Sequence, residues 1–256
     1  MSDLVTETAD GVLTLRLNRP DQFNALTGDM TIGLVEALRG AVTREDVRTV
    51  VITGTGTAFS AGADLEGDDP AAKYDERAVE AAAIMVDAVI ACDKPVVCGL
   101  NGIAAGVGMS LALSCDLVVA AESAALTLAF TKIGLMPDGG ATATVAASVG
   151  RARAMRLALT SDVIGAQEAL AAGLITHVLA DADYEDGLGK IVRRLAAGPP
   201  LAFAATKKAI NAATLGDLSH AHAREHRGQP VLLRSADATE GMRAFIEKRR
   251  PQFRGR

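Results

Sequence analysis

Two Gly-rich stretches and one aspartate are where this 256-residue chain could do chemistry. The first stretch is Thr53-Gly54-Thr55-Gly56-Thr57-Ala58-Phe59-Ser60-Ala61-Gly62-Ala63-Asp64-Leu65, and the second is Asn101-Gly102-Ile103-Ala104-Ala105-Gly106-Val107-Gly108. Each follows an apolar, strand-like run. Small residues let two main-chain N–H groups approach one oxygen without side-chain obstruction. The second stretch also feeds a helix, whose first N–H groups are unpaired and carry partial positive charge. Such a pair would form an oxyanion hole, each donor contributing roughly 3–4 kcal/mol to a transition state. The plainer alternative is that the glycines only make tight turns, and spacing alone leaves both open. Nucleotide binding fails on spacing: no third glycine completes a dinucleotide pattern, and neither stretch ends in Gly-Lys-Ser/Thr.

The aspartate is Asp138, in Gly134-Leu135-Met136-Pro137-Asp138-Gly139-Gly140. A proline before it and glycines after it let the backbone turn sharply and project a carboxylate. Apolar neighbours Leu135, Met136 and Phe130 would raise its pKa toward neutrality. The competing role is an N-cap for a helix starting near Ala141. Asp64 and Asp116 also sit beside turns, where a short carboxylate is expected to cap backbone.

The positioning elements follow from periodicity. Val12 to Leu17 alternates as a strand and Asn18-Arg19-Pro20 breaks it. Thr27 to Val42 has helical spacing through Met30, Leu34 and Leu38. Val50 to Ile52 is a buried strand, Val79 to Ala91 a helix, Val96 to Leu100 a strand, Val107 to Ser114 a short helix, and Leu117 to Ala120 a strand. Gly150 to Thr160 and Ala166 to Ala172 are helical, and Leu174 to Leu179 is extended. After Gly198-Pro199-Pro200 only helices are predicted, over Leu201 to Ala213, Leu218 to Leu233 and Ala238 to Lys248. The expected division is an α/β core over residues 1–197 and a helical C-terminal region over 198–256.

Bulk properties narrow the class. Hydrophobic residues make up 49% and charged residues 22%, which fits a globular chain with a sizeable core. A net charge of -5 argues against a nucleic-acid binder. The basic C-terminus, Lys248-Arg249-Arg250 with Arg254 and Arg256, reads either as a solvated helix end or as a local patch for a phosphate. Cys92, Cys98 and Cys115 are odd in number and lack metal spacing, so small core residues are expected rather than disulfides. With no secretory signal and no apolar stretch long enough to span a bilayer, a cytoplasmic protein without membrane partners is expected.

At these motifs the chain resembles the enoyl-CoA hydratase/isomerase (crotonase) superfamily over essentially its whole length. The landmarks are Asn18-Arg19-Pro20 with Asn24-Ala25-Leu26, Phe59 to Leu65, Lys94-Pro95-Val96, Asn101-Gly102 to Gly108, and Cys115-Asp116-Leu117. Gly134 to Asp138, Gly150-Arg151-Ala152-Arg153-Ala154-Met155 and the tail from Arg234 to Phe253 look like the epoxyphenylacetyl-CoA isomerase branch. The resemblance implies an α/β crotonase spiral of ββα turns with a C-terminal helical appendage for trimerisation, a homotrimer or dimer of trimers, and an acyl-CoA substrate. Coenzyme A is then part of the substrate, and no further cofactor and no metal are implied. The backbone N–H groups of Ala61 and Val107 would hold the thioester oxygen. Asn24, Ala25, Gly62, Ala63, Asp64, Leu65, Gly106, Ser110, Phe130 and Pro137 would contact the substrate, with Lys208 or other C-terminal cations near the phosphates.

Hydration in this family uses two glutamates to hold a water. Their positions fall on Ser110 and Phe130, neither of which is a competent base. The expectation is therefore an isomerase with Asp138 as acid/base. A hydratase with atypical residues and a non-catalytic acyl-CoA binder are the alternatives. The small residues after Asp138 imply a wider acyl pocket or a looser Asp138 loop.

Overall fold

The computed structural model describes residues 2–65 and 75–256. Two strands open the chain, β1 (Leu4–Ala9) and β2 (Val12–Leu17), joined antiparallel through Asp10 and Gly11, both at positive φ. The alternation of β2 is realised in full: Leu13, Leu15 and Leu17 are buried. Helix α1 (Gly28–Thr43) follows, with Thr27 Oγ1 accepting from the Met30 N–H as its cap.

The spiral comes next. β3 (Thr49–Gly54) leads into β4 (Ala58–Ser60), β5 (Val96–Leu100) into β6 (Ile103–Ala105), and β7 (Leu117–Ala121) into β8 (Ala125–Thr127). The long member of each pair joins a six-stranded sheet ordered β1-β2-β3-β5-β7-β10, with β10 (His177–Leu179) at its edge. The short member joins a four-stranded sheet ordered β4-β6-β8-β9, closed by β9 (Ile164–Gly165). Apart from β1 and β9 the strands pair in parallel. Every residue of β3 and β5 is buried, as parallel strands covered on both faces require. This is the α/β spiral of ββα turns expected from the motifs.

The intervening helices are α2 (Glu76–Ala91), α3 (Val107–Ser114), α4 (Ala141–Thr160), α5 (Ala166–Ala171) and α6 (Tyr184–Ala196). Helix α4 begins nine residues before the predicted Gly150. Gly150 itself has φ 75° and ψ 165°, so two helical pieces meet there, and periodicity caught only the second. The last helices, α7 (Pro200–Thr214), α8 (Leu218–Leu233) and α9 (Ala236–Ile246), return to the core: α8 packs on α2 and α4, and α9 on the turn at 129–133. Lys207 of α7 is half-buried and reaches Asp116 Oδ2 at 2.8 Å and Val89 O at 2.8 Å. Asp116 Oδ2 also accepts from the Val96 N–H, so this carboxylate ties a strand start as expected. Cys92, Cys98 and Cys115 are free and buried. Among the described residues no helix is long and apolar enough to cross a membrane.

Candidate active site

The two Gly-rich loops meet. β4 pairs with β6, and a Cβ at Gly108 would stand 2.7 Å from the Ser60 carbonyl oxygen. Gly62, at φ 97°, lies against the second loop so closely that a Cβ would be 2.8 Å from Ala105 O. Only glycine tolerates both that φ and that approach. Gly106, at φ 51° and ψ −131°, turns the chain into α3 and makes Val107 the first helical residue. The Val107 N–H therefore has no helical acceptor.

The donor expected from the first loop needs correction. The Ala61 N–H is occupied, donating to Phe23 O at 2.8 Å. Two residues on, Leu26 bridges to Ala63 in parallel: the Leu26 N–H donates to Gly62 O, and the Asp64 N–H donates to Leu26 O. In such a bridge the central residue turns its own N–H away from the partner strand. Ala63, not Ala61, thus presents a main-chain donor. Ala63 and Val107 line one cavity of about 390 Å³, walled by Leu26, Thr27, Ala82 and Met85. Asp64 lines it too and pairs with Arg19 at 3.1 Å.

Asn24 and Ala25 do not line this cavity. Asn24 is fully buried at φ 55°; its Nδ2 donates to Thr55 O and Ala58 O, and its Oδ1 accepts from the Arg19 N–H. It braces the first loop from behind, with every side-chain polar atom committed. Ala25 O accepts from Arg19 Nη1. Leu65 is half-buried against the core. Lys208 is exposed, and the basic tail is folded onto α9, with Arg249 paired to Glu240 and Glu247 and the Asp237 carboxylate accepting from the Arg254 and Gly255 N–H groups.

Asp138 does not line this cavity, but its neighbour Gly139 packs beside Val107. Gly139, at φ 61°, presses onto the first turn of α3, where a Cβ would stand 3.1 Å from Ser110 Cβ and 3.6 Å from Val107 Cγ2. Ser110, itself buried, donates its hydroxyl to Asp138 O at 2.8 Å. Pro137 and Phe130 are buried nearby in sequence but do not line the 390 Å³ cavity. The loop is not loose, contrary to one expectation from its small residues. Asp138, Gly139, Gly140 and Ala141 are all buried.

Asp138 does not cap α4. Gly140 holds the cap position, and the acceptor is supplied from α8. Glu225 Oε2 takes the Gly140 N–H at 2.8 Å, and Oε1 takes the Thr142 N–H at 3.2 Å together with its hydroxyl. The Asp138 carboxyl is thereby released for another role. Its Oδ2 accepts from Gln229 Nε2 at 2.8 Å, while Oδ1 is buried without a hydrogen-bond partner. Burial pushes the pKa from 3.8 up to about 7; the Gln229 hydrogen bond opposes the rise and the Glu225 charge adds to it. A carboxyl poised near neutrality with one open oxygen can take and return a proton.

Glu225 and Gln229 were not singled out by sequence reasoning, nor was His222. His222 Nε2 lies 3.1 Å from Asp87 Oδ1, and its Nδ1 lies 3.7 Å from Glu225 Oε2, beyond hydrogen-bond reach but within ionic attraction. The Glu225 carboxylate, chiefly, raises the His222 pKa, against the effect of burial. The available signal was three polar residues at 222, 225 and 229 on one helix face, beside Gly228, where a Cβ would meet Met136 Sδ at 2.6 Å. Among the described residues, no group of three or more His, Cys, Asp or Glu side chains is placed to hold a metal ion.

The family model described as enoyl-CoA hydratase/isomerase matches residues 7–256. A probable enoyl-CoA hydratase of Rhodobacter capsulatus is 44% identical, with 98% of this chain and 97% of that protein aligned. The 1,2-epoxyphenylacetyl-CoA isomerase of Escherichia coli is 37% identical over the whole of both chains. A crystal structure of an enoyl-CoA hydratase from Mycobacterium avium subsp. paratuberculosis superposes with a TM-score of 0.93 at 46% identity, covering 99% of each chain.

Proposed function

This chain belongs to the enoyl-CoA hydratase/isomerase family, and from that premise we propose that it is an acyl-CoA isomerase in which Asp138 carries the proton. The N–H groups of Ala63 and Val107 receive the thioester oxygen as it gains negative charge. The Asp138 carboxylate removes a proton from C2 of a 3-enoyl thioester, leaving a dienolate. The resulting carboxylic acid gives a proton to C4, and the double bond comes to rest between C2 and C3. One group both accepts and donates, so no second base is required. Coenzyme A enters only as part of the substrate, and an epoxide-type isomerisation, the activity named for the E. coli relative, is the other isomerase reaction we propose for this site.

The observation that carries this proposal is the open Oδ1 of a buried Asp138 with a pKa of about 7. Hydration finds less support. Ser110, placed at one glutamate position, has its hydroxyl engaged with Asp138 O, and Phe130 at the other has no exchangeable proton. Residual hydratase activity is the second possibility, favoured by the name of the R. capsulatus relative. Parallel assays of a 3-enoyl-CoA and a 2-enoyl-CoA decide between them. Conjugation of the first is expected to outrun hydration of the second at least ~100-fold, the worth of a missing general base. Comparable rates would sink the isomerase assignment.

We also place the protein in a homotrimer or dimer of trimers. The apolar side chains exposed on the C-terminal helices, Leu201, Ile210, Val231 and Phe245, support burial between subunits. Light scattering is expected to give three or six times the 26.3 kDa chain mass; a monomer would refute it.

A further inference from the structure

Gln229 is the only side chain bonded to the Asp138 carboxyl among the described residues, and its own orientation is locked. Its Oε1 accepts from the Met136 N–H at 3.0 Å, while Nε2 donates to Met136 O and to Asp138 Oδ2, each at 2.8 Å. Flipping the amide would point its carbonyl at both a carbonyl and a carboxylate, so the backbone of Met136 dictates that a donor faces Asp138. Both amide protons are thereby spent, one of them on Oδ2. Oδ1 has no such partner.

We propose that Gln229 is a positioning residue for the proton transfer: it holds Asp138 through Oδ2 and leaves Oδ1 as the oxygen that takes and returns the proton. This role deepens the isomerase proposal and rests on Asp138 being the acid/base. The carboxyl cannot rotate freely, because turning it would break the Gln229 bond and bury an unsatisfied donor. Gln229 sits one helical turn after Glu225 on the same face of α8, and the two act on Asp138 with opposite sign: the amide favours the carboxylate, and the Glu225 charge disfavours it. The other titratable groups on this face are His222, whose ring lies between Glu225 and Asp87, and Asp87 itself, exposed on α2. Gly228, next to Gln229, leaves room for the Met136 thioether, whose Sδ would stand 2.6 Å from a Cβ there.

The test is Gln229→Met, which keeps length and bulk and removes the donor. The Asp138 titration, followed directly by carboxyl ¹³C NMR of aspartate-labelled protein, is expected to move up by about one to two pH units, the worth of a hydrogen bond to a charged group. The pH–rate profile for isomerisation should move with it. At pH 6 kcat falls about 10- to 100-fold, at pH 9 it recovers, and KM changes little. A purely structural brace for the Met136 turn predicts something else: lower thermal stability with both midpoints unmoved, and that result overturns the proposal. Gln229→Asn, one methylene short of Asp138, supplies the same readouts if the methionine variant does not fold. Failure of the base assignment is separately visible. Asp138→Asn would then retain activity, while the NMR shift in Gln229→Met would still report whether the amide governs the carboxyl.

Discussion

Asp138→Asn is expected to lose about 1,000-fold in isomerisation rate and to gain stability above neutral pH. The loss is the ordinary worth of a general acid/base, and affinity for the CoA ester should be nearly unchanged because Ala63 and Val107 are untouched. The gain follows from linkage. Folding raises the Asp138 pKa from 3.8 to about 7, so the carboxyl helps stability only while protonated. Its penalty is absent below about pH 4, grows as pH rises through 7, and is complete above it. Three units correspond to at most about 4 kcal/mol. An asparagine escapes that penalty but buries an amide N–H₂ where Oδ1 had no partner, which returns roughly 1–3 kcal/mol. A net gain of roughly 1–3 kcal/mol at pH 8, turning into a net loss of roughly 1–3 kcal/mol near pH 4, is the expected denaturation result. A variant that is both active and no more stable would mean that Asp138 ionises normally and does no chemistry. Stability given up at an active carboxyl is a familiar trade.

Glu225→Gln is expected to shift the pH–rate profile in the acid direction, opposite to the shift from removing Gln229. The Glu225 charge raises the Asp138 pKa, so neutralising it lets the base ionise at lower pH. The same change costs stability. Glu225 is buried and receives the Gly140 and Thr142 N–H groups at the start of α4. A glutamine offers one carbonyl oxygen and turns N–H against N–H at the other position. Losing one charge-assisted cap is worth roughly 2–3 kcal/mol, or about 5–10 °C in a chain of this size. The His222 pKa should fall as well, since the Glu225 carboxylate is its largest support. An unmoved profile in Glu225→Gln would show that Asp138 does not feel this charge.

How far the sequence could be read depended on the range of the interaction that defines each element. Val96–Leu100, Val107–Ser114 and Leu218–Leu233 were predicted with the bounds they have. Each is long enough to show its own period, or is bracketed by proline, glycine or a capping residue. The three-residue strands β4, β6 and β8 show no period of their own, because three residues cannot establish an alternation. They exist through the strand beside them. The error over Ala61 has the same root. Which amide of the Ala61-Gly62-Ala63 run is free depends on the Leu26 bridge and on Phe23 O, and no local pattern encodes either.

The two Gly-rich loops and the family were legible in the sequence alone, the loops because residue types in one short stretch carry each, the family because its landmarks recur in order along the chain. Whether the loops meet, which N–H faces the cavity and which Asp138 oxygen stays unpaired were decided only by tertiary structure. The capping reading failed because Glu225, 85 residues away, took the Gly140 N–H. The acid/base reading gained because burial raised the pKa and Gln229, 91 residues away, held one oxygen and left the other open. A short carboxylate beside a turn is chemically ambiguous. Its role depends on which of its oxygens the rest of the fold leaves unsatisfied.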